Sequence, residues 1–583
     1  MTVHFKNFRW VNLSIIFFIF LFLGGMTPRG YGQGRVMVSS LPYDTLNRLV
    51  TKHAMVSSAH PLSSEIGKEI MKMGGNAVDA AVATAFAVSV VEPEMSGLGG
   101  GGGMIIWLKD KKEAYYIDFY PAKKASTYKS IDSNKEGHKL WEVGIPGEVA
   151  GLLYAQEKFG KLSRKQVMEP AIKLARDGFP MYPILASVIF SSRDILDQYE
   201  AKDLFLPNGK TFEIGEILKQ EALARTLQKI ADEGASAFYN GSIAKDIIKV
   251  LNDGGVPATI ADFQNYKIKT DKIPLTTTYK KWKVLSAPAP QGGLEIIEDL
   301  NILDSFNLKE IGLPTQSARA FHILTGAMRA GMADRAYNKD PDWFKIPAEI
   351  LTSKEYARKR AKYVLQTPTP NSITPGDFDL NDVSSNELKI NNDEKDEMGE
   401  TTSLSVVDGE GNAVALTQTL SQVFGKNGVW IDGFFLNNSG VDFSDPVRYP
   451  RPLPAPTSGY RTRYSPIAPT IILNKDNTVK LVIGSPGGSR ISTRIVQNIV
   501  YILDYGMDPM VAARMPRIYP SPSKNGVYTK VGFNGKVYEE ERKNGYDFYI
   551  NFSGGARIYS IVKQGGYWIG AADPMYQGGV SGY

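Results

Sequence analysis

Apolar positions early in the chain change their period from one segment to the next. Leu62, Ile66, Ile70 and Met73 recur every three or four residues, which predicts an amphipathic helix with Ser63 available as its cap and Gly74-Gly75 as its end. Asn76 to Val91 is small and apolar on nearly every face, so a second helix is predicted there, buried in the middle of the molecule. Asp79 within it argues against a membrane span. After Gly99–Gly103 come strands at Met104–Trp107 and Tyr115–Phe119, and 141–330 reads as mostly helical, punctuated at Pro146-Gly147, Pro180 and Gly292-Gly293.

From Thr367 to Glu400 the apolar period disappears, and the stretch reads as a flexible linker. It ends on the charged run Asp393–Glu400 and gives way to Thr401-Thr402-Ser403-Leu404-Ser405-Val406-Val407-Asp408, which alternates like a half-buried strand. A partner strand at 412–420 completes a hairpin around Asp408–Gly411. A Pro-rich stretch follows at 446–456. A strand at 479–483 then runs into Gly484-Ser485-Pro486-Gly487-Gly488-Ser489-Arg490 and a helix to about Asp504.

The first 32 residues differ from the rest. Lys6 and Arg9 precede the apolar run Leu13–Leu23, and small residues follow at Gly30 and Gly32, which reads as a secretory leader cleaved before Gln33. The run is shorter than the ~20 residues a membrane span needs. A mature protein released outside the cytoplasm, periplasmic or extracellular and not held by a membrane, is the expectation. Losing Lys6, Arg9 and Arg29 removes three of 67 basic residues against 61 acidic ones, so the formal charge falls from +6 to +3. That is no electrostatic footprint for nucleic acid. The absence of cysteine excludes disulfides, thiolate metal sites and a cysteine nucleophile. His4, His53, His60, His138 and His322 form no metal pair at helical spacing, and His60-Pro61 reads as a turn leading into a helix, so neither metal nor cofactor is expected.

Two features carry candidate chemistry. A hydroxyl where a linker becomes a strand is a place for a precursor to cut itself. Once freed, Thr401 could use its own α-amine, with a pKa of about 7.7–8, to take its hydroxyl proton. Thr-Thr at a strand start is equally ordinary β-propensity. Gly484–Arg490 aims backbone N–H groups and a helix N-terminus at one spot. It lacks the lysine of a phosphate loop and the spacing of a dinucleotide fingerprint. It is either a structural turn or, if Thr401 is a nucleophile, an oxyanion hole. For Gly99–Gly103, close backbone packing is the expectation.

Together with these segments, Gly74–Ala81, Val91-Glu92-Pro93, Ser96–Gly102, Gly144–Gly147, Leu436-Asn437-Asn438 and Gly570–Pro574 stand in the order found in γ-glutamyltranspeptidases. The chain resembles that family from about residue 50 to its C-terminus. The resemblance implies an N-terminal-nucleophile hydrolase, a four-layer αββα sandwich whose precursor cleaves itself into a large subunit (33–400) and a small one (401–583). By the same resemblance Thr401 is the nucleophile and Thr419 its hydrogen-bonding companion. Gly487 and Gly488 are the oxyanion glycines, and Asp442 grips the substrate's α-ammonium.

The departures fall on the substrate. Tyr120 stands where the family has the arginine that clamps the γ-glutamyl carboxylate, and Ser465-Pro466 replaces a serine pair. Ser421 and Ser439 replace an asparagine and a glutamine. Tyrosine cannot reproduce a bidentate guanidinium–carboxylate contact. Arg448, Arg451, Arg461 and Arg463 are either a substitute clamp or solvated loop charges. The expected activity is transfer or hydrolysis of a γ-glutamyl amide of a glutathione-like small molecule, with water or an amine as acceptor. The alternatives are an acylase of the same fold acting on another amide, and a silent binding homologue.

Overall fold

The computed structural model describes residues 47–124, 138–197, 200–366, 373–376, 400–440, 459–520, 526–550 and 555–583. The leader, most of the 367–400 linker and Asp442 lie outside these residues.

Two antiparallel sheets face each other. The first contains β2 (Met55–Ser58), β3 (Gly101–Leu108), β4 (Glu113–Phe119), β7 (Glu400–Val407), β8 (Ala413–Ser421) and β13 (Gly579–Gly582), in the order β13-β2-β7-β8-β3-β4. The second contains β1 (Arg48–Thr51), β5 (Leu275–Tyr279), β6 (Trp282–Ser286), β9 (Thr470–Leu473), β10 (Val479–Gly484), β11 (Tyr559–Gln564) and β12 (Tyr567–Ala572), in the order β1-β12-β11-β10-β9-β6-β5. Met55, Ile105, Trp107, Ala415, Leu285, Ile471, Val482 and Ile561 fill the space between the sheets.

Helices cover both outer faces. α1 (Pro61–Lys72), α2 (Ala77–Val91), α3 (Glu148–Phe159) and α4 (Arg164–Asp177) bury Val56, Ile106, Leu404, Val406 and Leu416 on one side. α5 (Gly293–Leu303), α6 (Ala318–Asp334) and α7 (Ile491–Leu503) bury Val284, Ile472, Leu481 and Ile483 on the other. This is the four-layer αββα sandwich. α2 is buried at all 15 positions, as its uniform apolar character predicts. Asp79 is tolerated there because it closes a capping box with Asn76 and accepts from the Lys161 N–H at 2.7 Å.

Some local expectations are corrected. The cap of α1 is His60, whose Nδ1 accepts from the Leu62 N–H at 3.2 Å, while Ser63 donates back to the His60 carbonyl. Pro61 at the first helical position shifts the start upstream of Ser63. Met73 leaves the stripe for solvent because it is the C-cap rather than the last turn. The stretch 141–330 also contains β5 and β6, whose run Thr276–Thr278 and single Lys283 hide a sheet-edge hairpin.

β7 is buried on both faces rather than half-buried. Its polar face carries serines, which let the second sheet approach closely: Ser405 donates to the Tyr559 carbonyl at 2.9 Å, and a Cβ on Gly484 would lie 2.1 Å from Ser403 Oγ. The glycines of β3 do the same work on the β8 side, since a Cβ on Gly102 would meet the Thr417 carbonyl at 2.1 Å. Close backbone packing therefore holds for the Gly99–Gly103 run.

Candidate active site

Thr401 is the second residue of β7, at an irregularity in the ladder. Glu400 pairs with Ser421 but Thr402 pairs with Gln418, so the register slips by one residue between them. A bulge of this kind re-aims side chains. Here it brings two buried hydroxyls together, and Thr401 Oγ1 donates to Thr419 Oγ1 at 3.1 Å. The Ser421 N–H donates to the same Thr419 oxygen at 2.7 Å. Ser421 makes that contact with φ of +79°, a strained conformation for a side chain other than glycine or asparagine. Ser421 thus carries backbone strain at the point where it holds the threonine pair.

The glycine turn leaves the end of β10 beside β7. Gly487 has φ of +129° and Gly488 of +57°, and a Cβ on Gly487 would lie 2.5 Å from Ala556 Cα, so the turn requires glycine there sterically and conformationally. The two strands' ends are joined by a residue that motif reading missed. The Arg557 backbone N–H donates to the Pro486 carbonyl at 3.2 Å, and its Nη2 donates to the Thr401 carbonyl at 2.9 Å. Its guanidinium also packs on the Tyr576 ring, 3.9 Å from the centroid. Behind it lies Glu92, which accepts from the Thr402 hydroxyl. Burial pushes the Glu92 carboxyl up, opposed by the Arg557 charge and the Thr402 hydrogen bond. Glu92 carried a usable signal: an acid closing an apolar helix must find a cation when buried.

A second group of residues forms a hydroxyl chain. Tyr120 Oη and Ser421 Oγ share a hydrogen bond of 3.2 Å, and Ser421 Oγ and Ser439 Oγ share one of 2.7 Å. Ser439 is held by its N–H donating to Asn437 Oδ1 at 2.9 Å, and Asn437 in turn bonds Gly99 and Gly144. The Arg463 guanidinium sits over the Tyr120 ring at 5.6 Å from its centroid. Arg461 points elsewhere, stacking on Trp343 at 4.6 Å. Ser465 is buried against Pro290 and Gln291, with its N–H donating to the Pro290 carbonyl at 3.1 Å. Gln291 Nε2 and the Tyr120 N–H both donate to Asp118 Oδ1, at 3.4 and 3.1 Å, which links the Ser465 segment to Tyr120. Asp442, Arg448 and Arg451 lie outside the described residues. Among the described residues no cluster of His, Asp and Glu could hold a metal, and no helix is long and apolar enough to cross a membrane.

The arrangement offers a hydroxyl held at a strand end, a glycine turn of positive φ tied to it, and a polar wall two residues beyond Thr419. Comparison with known proteins bears on the family and the fold. The family model for gamma-glutamyltranspeptidase matches residues 63–583. The glutathione hydrolase proenzyme of Bacillus subtilis (strain 168) is 34% identical over 559 residues, covering 93% of each chain. That of Escherichia coli (strain K12) is 34% identical over 551 residues, covering 91% of this chain and 92% of the relative. Among solved structures, cephalosporin acylase from Bacillus halodurans superposes with a TM-score of 0.80 at 24% identity, over 96% of this chain and 99% of its own, a likeness of fold. With the αββα sandwich and the family match over nearly the whole length, the chain belongs to the γ-glutamyltranspeptidase family of N-terminal-nucleophile amidohydrolases.

Proposed function

We propose that the protein is a secreted, self-processing hydrolase or transferase that cleaves γ-glutamyl amides through an acyl ester on Thr401. The observation that carries this reading is Arg557, whose main chain holds the glycine turn while its side chain holds the Thr401 carbonyl. A nucleophile needs its oxyanion donors at fixed distance, and a buried arginine spanning both supplies that rigidity. In the precursor Thr401 Oγ attacks the Glu400 carbonyl, the Glu400–Thr401 C–N bond breaks as the hydroxyl proton passes to the Thr401 nitrogen, and water hydrolyses the resulting ester to leave chains of about 33–400 and 401–583. In the mature enzyme the free α-amine takes the Thr401 proton as Oγ attacks the substrate amide. The Gly487 and Gly488 N–H groups stabilise the oxyanion. The amine returns the proton to the departing nitrogen, and water or an amine then releases the acyl group.

For the acyl group, Asp442 supplies the carboxylate for the α-ammonium and Arg463 replaces the missing clamp. Its position over Tyr120, the residue that took the arginine's place, supports this. The names of the curated relatives point to glutathione-like substrates. The second reading, an acylase for a side chain without the free amino-acid end, is favoured by the uncharged chain Tyr120–Ser421–Ser439. A profile on γ-glutamyl and glutaryl anilides decides between them. A γ-glutamyl preference is expected, whereas equal or better glutaryl turnover selects the acylase. Turnover of neither, by a chain that mass analysis shows uncut, overturns both.

A further inference from the structure

Behind the glycine turn lies a group of cations that the acyl chemistry does not use. Arg490 and Arg494, at the start of α7, and Arg517 and Lys530 line one cavity with Tyr519 and Ala556. The cavity holds about 40 Å³, room on the order of three water molecules or one small oxyanion. Arg494 is 2% exposed, and its Nε and Nη1 have no hydrogen-bond partner among the described residues; neither does Arg517 Nη1. Among the described residues the ion pairs of Arg494 and Arg517 go to a single carboxylate, Asp573, with Arg494 Nη2 3.7 Å from it and Arg517 bonded to it directly. Lys530 Nζ meets a thioether, Met575 Sδ, at 3.1 Å, a weak acceptor.

Like charges gathered this way are unfavourable unless something answers them. Burial and then the Arg517 charge lower Arg494 to about 9, and burial with Arg517, Arg494 and Arg490 nearby lowers Lys530 to about 8. The positive end of α7 adds to the field rather than relieving it. Buried guanidinium N–H groups left unbonded cost free energy, and a bound oxyanion would satisfy several at once.

We infer that this cavity is an oxyanion-binding site, built for a carboxylate or phosphate on a small molecule and separate from the Thr401 hydroxyl. Two features connect it to the glycine turn. Arg490 stands two residues after Gly488, with its N–H donating to the Gly487 carbonyl at 3.2 Å, and Ala556 is the residue on which Gly487 rests. An anion held by Arg490 and Arg494 therefore pulls on the segment that carries the oxyanion donors. The source of the anion is either free inorganic phosphate or the carboxylate of an amine acceptor.

The test is isothermal titration of the full processed protein, at low ionic strength and pH 7, with inorganic phosphate, with alanyl-alanine and with alanyl-alanine amide. Saturable one-site binding of phosphate or of the free dipeptide is expected, weakened at least tenfold in Lys530→Met and restored within threefold in Lys530→Arg. Arg494→Met should abolish it. If that variant does not fold, the Lys530 pair carries the result. Binding of the dipeptide but not its amide assigns the site to an acceptor carboxylate. Binding of phosphate alone assigns it to a free anion. No saturable binding of either probe by the wild type, or unchanged binding in Lys530→Met, overturns the inference. The readout does not pass through turnover, so it stands or falls separately from the assignment of Thr401.

Discussion

Two walls of the candidate active site are built by different means. The Thr401 wall is made of backbone: a bulged strand pair, a glycine turn with positive φ, and one arginine bonding main-chain carbonyls of both. The wall at Tyr120, Ser421, Ser439 and Arg463 is made of side-chain hydroxyls and one long cation. Change in the first wall disturbs the sheets themselves, because Gly484 and Ser403 set the spacing between layers. Change at Tyr120, Ser439 or Arg463 leaves the β7–β8 ladder intact, and only Ser421 belongs to both walls. Reaction type should therefore persist across the fold while acyl specificity drifts.

The sharpest way to break that division is Thr401→Ala. The variant should remain a single chain of unprocessed length with no measurable turnover, its fold kept because the strand loses only a hydroxyl. Mass analysis and anilide assay check this. A variant that still self-cleaves would move the nucleophile elsewhere and dissolve the first wall.

On the second wall, Arg463→Ala should raise KM for a γ-glutamyl anilide by about 30- to 1000-fold, equivalent to about 2–4 kcal/mol for a lost charge-assisted contact. Its kcat should change little. Tyr120→Arg in that background should recover part of the loss by restoring the family's clamp. A fall in kcat with KM unchanged would mean that Arg463 serves the chemistry and that the two walls are not separable.

How much of each wall the sequence revealed follows from how each is assembled. Thr401–Asp408 and Gly484–Arg490 are contiguous, so the hairpin, the turn and the helix after it were legible from alternation and glycine placement. Contiguity also explains why boundaries there differ by only a residue or two. Arg557 was not legible. It lies 156 positions from Thr401 in sequence, in a segment without periodicity, and only the packing of β11 beside β10 brings it near. The burial of both faces of β7 was hidden for a similar reason. Serines read as solvent-facing until a second sheet is known to cover them. The hydrogen bonds of the Tyr120–Ser421–Ser439 chain span 301 and 18 positions, and resemblance could say what was missing there but not what hydroxyls would build in its place.

Arg557 tests whether the first wall is one unit. Arg557→Met removes the charge-assisted bond to the Thr401 carbonyl and leaves Glu92 buried without its cation. The kcat should fall about 30- to 150-fold, for about 2–3 kcal/mol of lost positioning, with KM nearly unchanged. Stability should fall as well, by about 3 kcal/mol in denaturant titration. Adding Glu92→Gln should return most of the stability but not the kcat, since only the uncompensated charge is relieved. Recovery of both would mean that Arg557 acts through folding alone.

The smallest effect lies in the scaffold behind that wall, at His60. Burial lowers its imidazole from 6.5 to about 3, and its Nδ1 must stay unprotonated to accept from the Leu62 N–H at the start of α1. The unfolded chain takes up this proton near pH 6.5 and the folded one does not, so the contribution is full above pH 6.5 and is lost as pH falls toward 3. Between pH 8 and pH 5 the loss from this group should be about 2 kcal/mol. His60→Asn keeps a side-chain acceptor at the cap without titrating, so its stability should fall less over the same interval. His60 packs on Tyr182 at 5.0 Å between ring centroids, and Tyr182 feels the Glu92 and Arg557 charges. Acid should therefore loosen the support of the Thr401 wall before it touches the hydroxyl wall. Denaturant titrations of both proteins at the two pH values check this, and equal acid sensitivity would place the weak point elsewhere in the fold.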